Sequence, residues 1–127
     1  MYSHVILGSN NIEIAKKFYD AVFATMGYEA GAKDGDSRYI YFTPDGVFGI
    51  TQPVDGKAAT CGNGSTIGFS MPNPEAVDKW LKAGVENGGK IIEDAPGERS
   101  TAGMKLYVGY IRDPDGNKLC AVHIFPS

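Results

Sequence analysis

Two histidines and two cysteines, His4, His123, Cys61 and Cys120, are the side chains of this 127-residue sequence best suited to ligation, proton transfer or nucleophilic attack near neutral pH. An imidazole can bind a metal, act as a general base or hydrogen-bond a substrate. His4 opens the β-rich run His4-Val5-Ile6-Leu7, and strand alternation puts His4 and Ile6 on one face, Val5 and Leu7 on the other. If Val5 and Leu7 pack on a helix, His4 points into a cavity, as ligand, base or substrate contact. The competing reading is a hydrogen-bonded histidine with no present chemistry. On the last strand the same alternation sends Leu119, Ala121 and His123 to the helix side and Cys120, Val122 and Ile124 inward, which makes His123 an edge or surface residue.

Cys120 reads first as a small buried hydrophobe and second as a nucleophile or ligand, because free cysteine is among the most buried residue types. Cys61 lies in the glycine-rich stretch Cys61-Gly-Asn-Gly64, with no base or cation nearby in sequence to activate it. Neither histidine stands near a nucleophile in a way that builds a catalytic triad. Gly62-Asn-Gly64 lacks the Lys-Ser/Thr and the following helix of a phosphate loop. Two cysteines make no disulfide framework. With no basic leader or cleavage site at Met1-Tyr-Ser-His4, the expectation is a cytoplasmic protein with both thiols reduced.

Several aromatics cluster in the β-rich segments, Tyr39, Tyr41, Phe48 and Tyr107 among them, and about half of such residues can line a cavity for a flat or amphipathic molecule. The alternative is that they are core and sheet-surface residues. Arg38, Arg99 and Arg112 are the cations placed to meet an anionic ligand. Arg112 precedes a turn, where an ion pair is expected. Arg99 falls in a long segment between Pro96 and Gly103 that reads as a loop able to close over a ligand.

The elements that must position these groups come in two copies. Asn11 returns as Asn73, Lys17 as Lys79 and Gly27 as Gly89, a constant spacing of 62 residues. Thr43-Pro-Asp-Gly46 reappears as Asp113-Pro-Asp-Gly116 at a spacing of 70, so the second copy carries extra residues between helix and turn. In the first copy, His4 to Leu7 is a strand and Asn10 or Asn11 caps a helix that ends at Gly27. Tyr28 to Lys33, Arg38 to Phe42 and Val47 to Gln52 follow as strands. The second copy repeats the order: strand Thr66 to Met71, helix Glu75 to Asn87, then strands Lys90 to Glu93, Met104 to Arg112 and Lys118 to Phe125, with Ala95 to Gly103 as a loop. The fold class is therefore α+β: two βαβββ modules, about residues 1–53 and 66–127 joined by a linker at 54–65, forming one domain. Their mixed sheets curl around a shared cavity, with the helices outside.

Composition sets the outer limits. Hydrophobic content of 43% and charged content of 21% are those of a soluble globular domain. The net charge of −3 and the lack of a Lys/Arg cluster argue against a nucleic-acid or anionic-membrane partner. No apolar run reaches the length of a membrane span.

The duplicated module, with His4-Val-Ile-Leu-Gly-Ser-Asn10, Ala15-Lys-Lys-Phe18-Tyr19 and Asp113-Pro-Asp-Gly-Asn117-Lys-Leu119, resembles the glyoxalase/bleomycin-resistance/extradiol-dioxygenase group, the vicinal oxygen chelate superfamily. The resemblance runs over essentially the whole chain. In its metal-dependent members each module supplies one ligand from its first strand and one from its last. Carried onto this sequence through the repeat, those positions are His4, Ile50, Thr66 and Cys120. Ile50 has no donor atom and a threonine hydroxyl is a weak ligand, so only His4 and Cys120 could hold a divalent metal such as zinc or nickel. A slip of one or two residues would replace Ile50 by Gly49 or Gln52. The resemblance leaves two readings: a metal-free binder of a small organic molecule, with His4, Thr66, Tyr107, Cys120 and Arg99 as contacts, or a metal-dependent lyase or isomerase in which His4 is catalytic. The residue set favours the first, with no metal. The resemblance also implies a homodimer.

Overall fold

The computed structural model describes residues 1–127. The elements run β1 (His4–Gly8), α1 (Ile12–Ala24), β2 (Ala32–Asp34), β3 (Arg38–Thr43), β4 (Gly46–Thr51), β5 (Ile67–Ser70), α2 (Pro74–Glu86), β6 (Lys90–Thr101), β7 (Met104–Arg112) and β8 (Lys118–Ile124). They form two mixed four-stranded sheets of the same topology, β1-β4-β3-β2 and β5-β8-β7-β6. In each, the first strand runs parallel to the last and the rest are antiparallel. The two modules are those the repeat implies, and the sheets do not join into a closed barrel.

Local chemistry explains the helices. Asn11 and Asn73 cap them, their side-chain oxygens accepting from the backbone N–H groups of Ile14 (3.2 Å) and Ala76 (2.8 Å). Glu13 and Glu75 add negative charge to the first turns, where the helix dipole favours it. Gly27 stops the first helix at φ 80°, and Tyr28 N–H returns to Phe23 O. Phe18, Tyr19, Val22 and Phe23 of α1 and Val77, Trp80 and Leu81 of α2 enter one buried cluster with the helix-facing sides of both sheets. The helices meet where α2 has a glycine. A Cβ on Gly84 would lie 2.8 Å from Ile111 Cδ1 and 3.1 Å from Phe18 Cε2. Trp80 stacks among Phe18 and Phe69, and its Nε1 is a buried donor without a partner, a desolvation cost that this packing offsets.

Three expected features come out differently. The stretch Tyr28 to Gly31 is not a strand, because Asp20 Oδ1 takes the Gly31 N–H (3.0 Å) and leaves only Ala32–Asp34 to pair with β3. The segment Ala95 to Gly103 is not a loop. Most of it belongs to β6, which pairs with β7 on both sides of a bulge between Ile92 and Gly97. The bulge absorbs Pro96, which could not donate to the ladder, and places Glu93 at φ 60°. Arg112 makes no ion pair at its turn; its guanidinium donates to Gly116 O (2.7 Å).

A buried polar knot ties the modules together. Asp113, in the β7–β8 turn, accepts from Tyr19 Oη of α1 (2.5 Å), from Asn117 N and Nδ2 (2.9 Å each) and from Asp115 N (2.9 Å). Asn117 Nδ2 also donates to Gly8 O at the end of β1 (3.1 Å), and Asn10 N donates to Asp115 Oδ1 (2.8 Å). Burial first, then the Asp113 charge, holds the Tyr19 hydroxyl well above the ordinary 10.0; burial followed by Asp20 raises Tyr41 as well. The folded state therefore keeps these protons more tightly than the unfolded chain. Their contribution is fully present below pH 10 and is lost as pH rises beyond it, since unfolding then releases protons. Replacing Tyr19 by Phe orphans one Asp113 oxygen contact and should cost about 1–3 kcal/mol at neutral pH. The variant should also show a shallower fall of stability above pH 10, read by urea unfolding across a pH series. An unchanged alkaline slope would contradict the assignment.

Candidate functional site

Register locates each sequence-nominated residue. In the first sheet Val5 pairs with Phe48 and Leu7 with Ile50, and all four turn toward the helices. His4, Ile6, Val47 and Gly49 therefore take the opposite face. In the second sheet Ile67 pairs with Leu119 and Phe69 with Ala121 on the helix side, leaving Gly68 and Cys120 on the other. The equivalent of Cys120 is thus Gly49, not Ile50, which is buried in the core. The turn is the cause: Thr43 pairs directly with Gly46, whereas Asp113 closes on Asn117, one residue further along. His4 is exposed and its Nδ1 lies 2.6 Å from Ser3 Oγ. Thr66 is exposed just ahead of β5. No three His, Cys, Asp or Glu side chains converge on a common point.

Tyr107 faces the helices, and its hydroxyl donates to Asp78 of α2 (2.8 Å). The tyrosine opposite Cys120 is Tyr110, over whose ring Lys118 Nζ sits at 4.9 Å. Lys118 also pairs with Glu93. Cys120 is buried with Leu106 and Val108, and burial pushes its thiol up, with Glu93 adding to this and Lys118 opposing it. Arg99 is not on a closing loop. It stands opposite Leu106 in β6 and its Nη2 donates to the bulge carbonyl of Ala95 (3.0 Å), which ties it to the scaffold. His123 is on the helix side, its Nδ1 3.0 Å from Met71 O.

The space between the modules lies along β1 and β5. A cleft of about 300 Å³ opens between the starts of β1 and β4 and the length of β5. Its apolar wall is Phe23, Met26, Phe48, Ile67 and Phe69, with ring centroids of the three phenylalanines 5.3 to 5.8 Å apart. Its polar rim is His4, Ser70, Tyr28 and Asp45, and the Tyr28 hydroxyl donates to Asp45 Oδ2 (2.9 Å). A second cavity of about 410 Å³ lies further along, between β1, the 60–65 linker segment and Lys118. The linker is held there by Asn10, which exchanges hydrogen bonds with both backbone groups of Ala59. His4 and Phe48 are the residues put forward from the sequence that the first cleft contains. Met26, Tyr28, Asp45, Phe69 and Ser70 were not nominated. The signal available was the spacing of 62, which makes Ile67 the counterpart of Val5 and sets the two strands at the same place in each module.

A duplicated βαβββ chain with an aromatic-walled cleft between its modules defines the class of paired-module α+β proteins. The model of the Glyoxalase/Bleomycin resistance protein/Dioxygenase superfamily matches residues 2–121, and the chain belongs to that superfamily. A solved glyoxalase/bleomycin resistance protein from Albidiferax ferrireducens T118 is 52% identical over 97% of this chain and 98% of its own, with a TM-score of 0.93. A glyoxalase/bleomycin resistance protein/dioxygenase family enzyme from Burkholderia phytofirmans PsJN (20% identity, TM-score 0.76, covering 97% and 98% of the two chains) has the same fold. So does a lactoylglutathione lyase from Agrobacterium tumefaciens (17% identity, TM-score 0.68, covering 97% and 92%). No curated protein matches the sequence. No helix is long and apolar enough to cross a membrane.

The two thiols should separate cleanly. Cys61 is exposed and Cys120 buried with a raised pKa. A disulfide reagent at pH 8 should titrate one thiol rapidly and the second only on unfolding, with Cys61→Ser abolishing the fast phase. Two equally fast thiols would contradict the placement of Cys120.

Proposed function

We propose that this protein binds a small organic molecule in the cleft between its modules and does so without the divalent metal of its metal-dependent relatives. The observation that carries this reading is the register at the four family positions, His4, Gly49, Thr66 and Cys120. Glycine offers no side-chain donor, Thr66 offers a weak one, and the buried, raised thiol of Cys120 resists the deprotonation that ligation needs. That donor set does not fit a divalent transition metal, so no step is routed through one. The cleft instead has the make-up of an organic-ligand site, apolar and aromatic walls with a few polar groups on the rim. His4 and Ser70 serve as hydrogen-bonding contacts there, and Asp45, with no cation paired to it, favours a ligand that brings a donor or a positive charge. Thr66, Cys120, Tyr107 and Arg99 stand outside this cleft.

Pairing of two copies belongs to the same reading. Ile6, Phe42, Met104 and Ile124 are large apolar residues left exposed on the sheet faces turned away from the helices, the kind of surface a second chain covers.

Purified, untagged protein should carry far less than one equivalent of transition metal by elemental analysis, and reconstitution with zinc, nickel or manganese should not change this. The same sample should sediment at about twice the 13.6 kDa chain mass. A stoichiometric metal that disappears in His4→Ala would overturn the metal-free reading in favour of a lyase or isomerase.

A further inference from the structure

The cleft follows a seam between two strand edges that face each other without pairing. Ser3 O accepts from Val47 N and Ser9 N donates to Thr51 O, so the odd-numbered residues of β1 point their backbone groups at β4. The N–H and C=O of His4, Ile6 and Gly8 therefore point the other way. Gly8 O confirms this, since it accepts from Asn117 of the second module. In the same manner Met71 N donates to Val122 O, which turns the odd residues of β5 toward β8 and leaves Gly68 and Ser70 pointing into the seam. The cleft joins Tyr2–Val5 to Ile67–Ser70, while the second cavity joins Val5–Gly8 to Ser65 and Ile67, so β1 and β5 run in opposite directions. No backbone or side-chain hydrogen bond engages His4, Ile6, Gly68 or Ser70 through these seam-facing groups. Beneath them lie the rings of Phe48 and Phe69, centroids 5.8 Å apart.

Resting on the cleft as the ligand site, we infer that the seam recognises a planar molecule with an amide-like edge, a lactam or cyclic imide, lying in the plane of the sheets. A cyclic amide presents N–H and C=O side by side, as an extended residue does, and can pair with one strand edge as an added strand would. Its flat face would cover Phe48 and Phe69, where aromatic contact adds to burial of apolar area. Free strand edges are templates for such pairing wherever nothing shields them. Here β1 and β5 both line a cleft of about 300 Å³, the size of a small-molecule site.

Three probes of similar shape test the inference on the full-length, isotope-labelled protein: 2-quinolone, its N-methyl derivative and naphthalene. 2-Quinolone should bind at least tenfold more tightly than the N-methyl compound and more tightly still than naphthalene. Its titration should shift the amide resonances of His4, Gly68 and Ser70. Ser70→Pro removes a seam-facing N–H within the cleft while sparing those that bond β8, and should erase most of the preference. Equal affinity for all three probes, with aromatic signals of Phe48 and Phe69 shifting, would overturn edge recognition yet leave small-molecule binding in the cleft standing. Binding of none of them, or binding that shifts signals elsewhere only, would count against both.

Discussion

One buried carboxylate fixes the relation between the two halves of this protein. Asp113 is enclosed by the core, no cation bonds it, and four donors share its two oxygens: a tyrosine hydroxyl from the first module and three N–H groups from its own turn. A charge taken out of water at that depth is tolerated because every lone-pair direction meets a dipole. The donors also come from different places. Tyr19 belongs to α1, and Asn117 bridges the same carboxylate to Gly8 of β1. The turn of the second module cannot leave the helix and first strand of the first without orphaning several buried groups at once.

That constraint has a geometric result. With the β7–β8 turn docked on the end of β1 and α1 crossing α2 at Gly84, β1 and β5 flank one cleft and do not hydrogen-bond. Apolar side chains fill the helix side of the gap, and the space above them is the cleft. The cleft is thus a product of two edges held apart by contacts at their ends and beneath them. In this arrangement the opposite sheet faces, which carry the four family ligand positions, are left without a convergent donor set.

Much of the architecture is legible in the sequence, because caps, glycine stops and helical spacing are local signals repeated at a fixed distance. Asn11 and Asn73 each announce a helix, and Val5 and Ile67 fall at the same step of each module. The errors fall where a tertiary partner decides. Tyr28 to Gly31 alternates like a strand, yet Asp20 claims its backbone. Pro96 and Gly97 read as loop residues, yet β7 holds both flanks of the bulge. The spacing of 70 across the turns carried Ile50 to a ligand position, and the extra residue Asn117, whose side chain the Asp113 knot requires, moves the true equivalent to Gly49. Tyr107 and Tyr110 are both plausible cavity residues by type; only register separates them. The cleft itself was less visible, since its walls come from helix-facing residues: by type and alternation Phe48 reads as core as readily as cavity wall, and Phe69 carries no signal of its own.

Which surface takes a small molecule decides between a metal-free cleft and a metal-dependent site on the opposite sheet face. Methionine-methyl NMR of the protein during a screen of small planar compounds answers this directly, because Met26 lines the cleft while Met104 is exposed on the far face of β7. Binders should move the Met26 methyl signal and leave Met104 unchanged, in the presence or absence of chelator. Binders that move Met104 alone, or that act only with added metal, would contradict metal-free binding in the cleft.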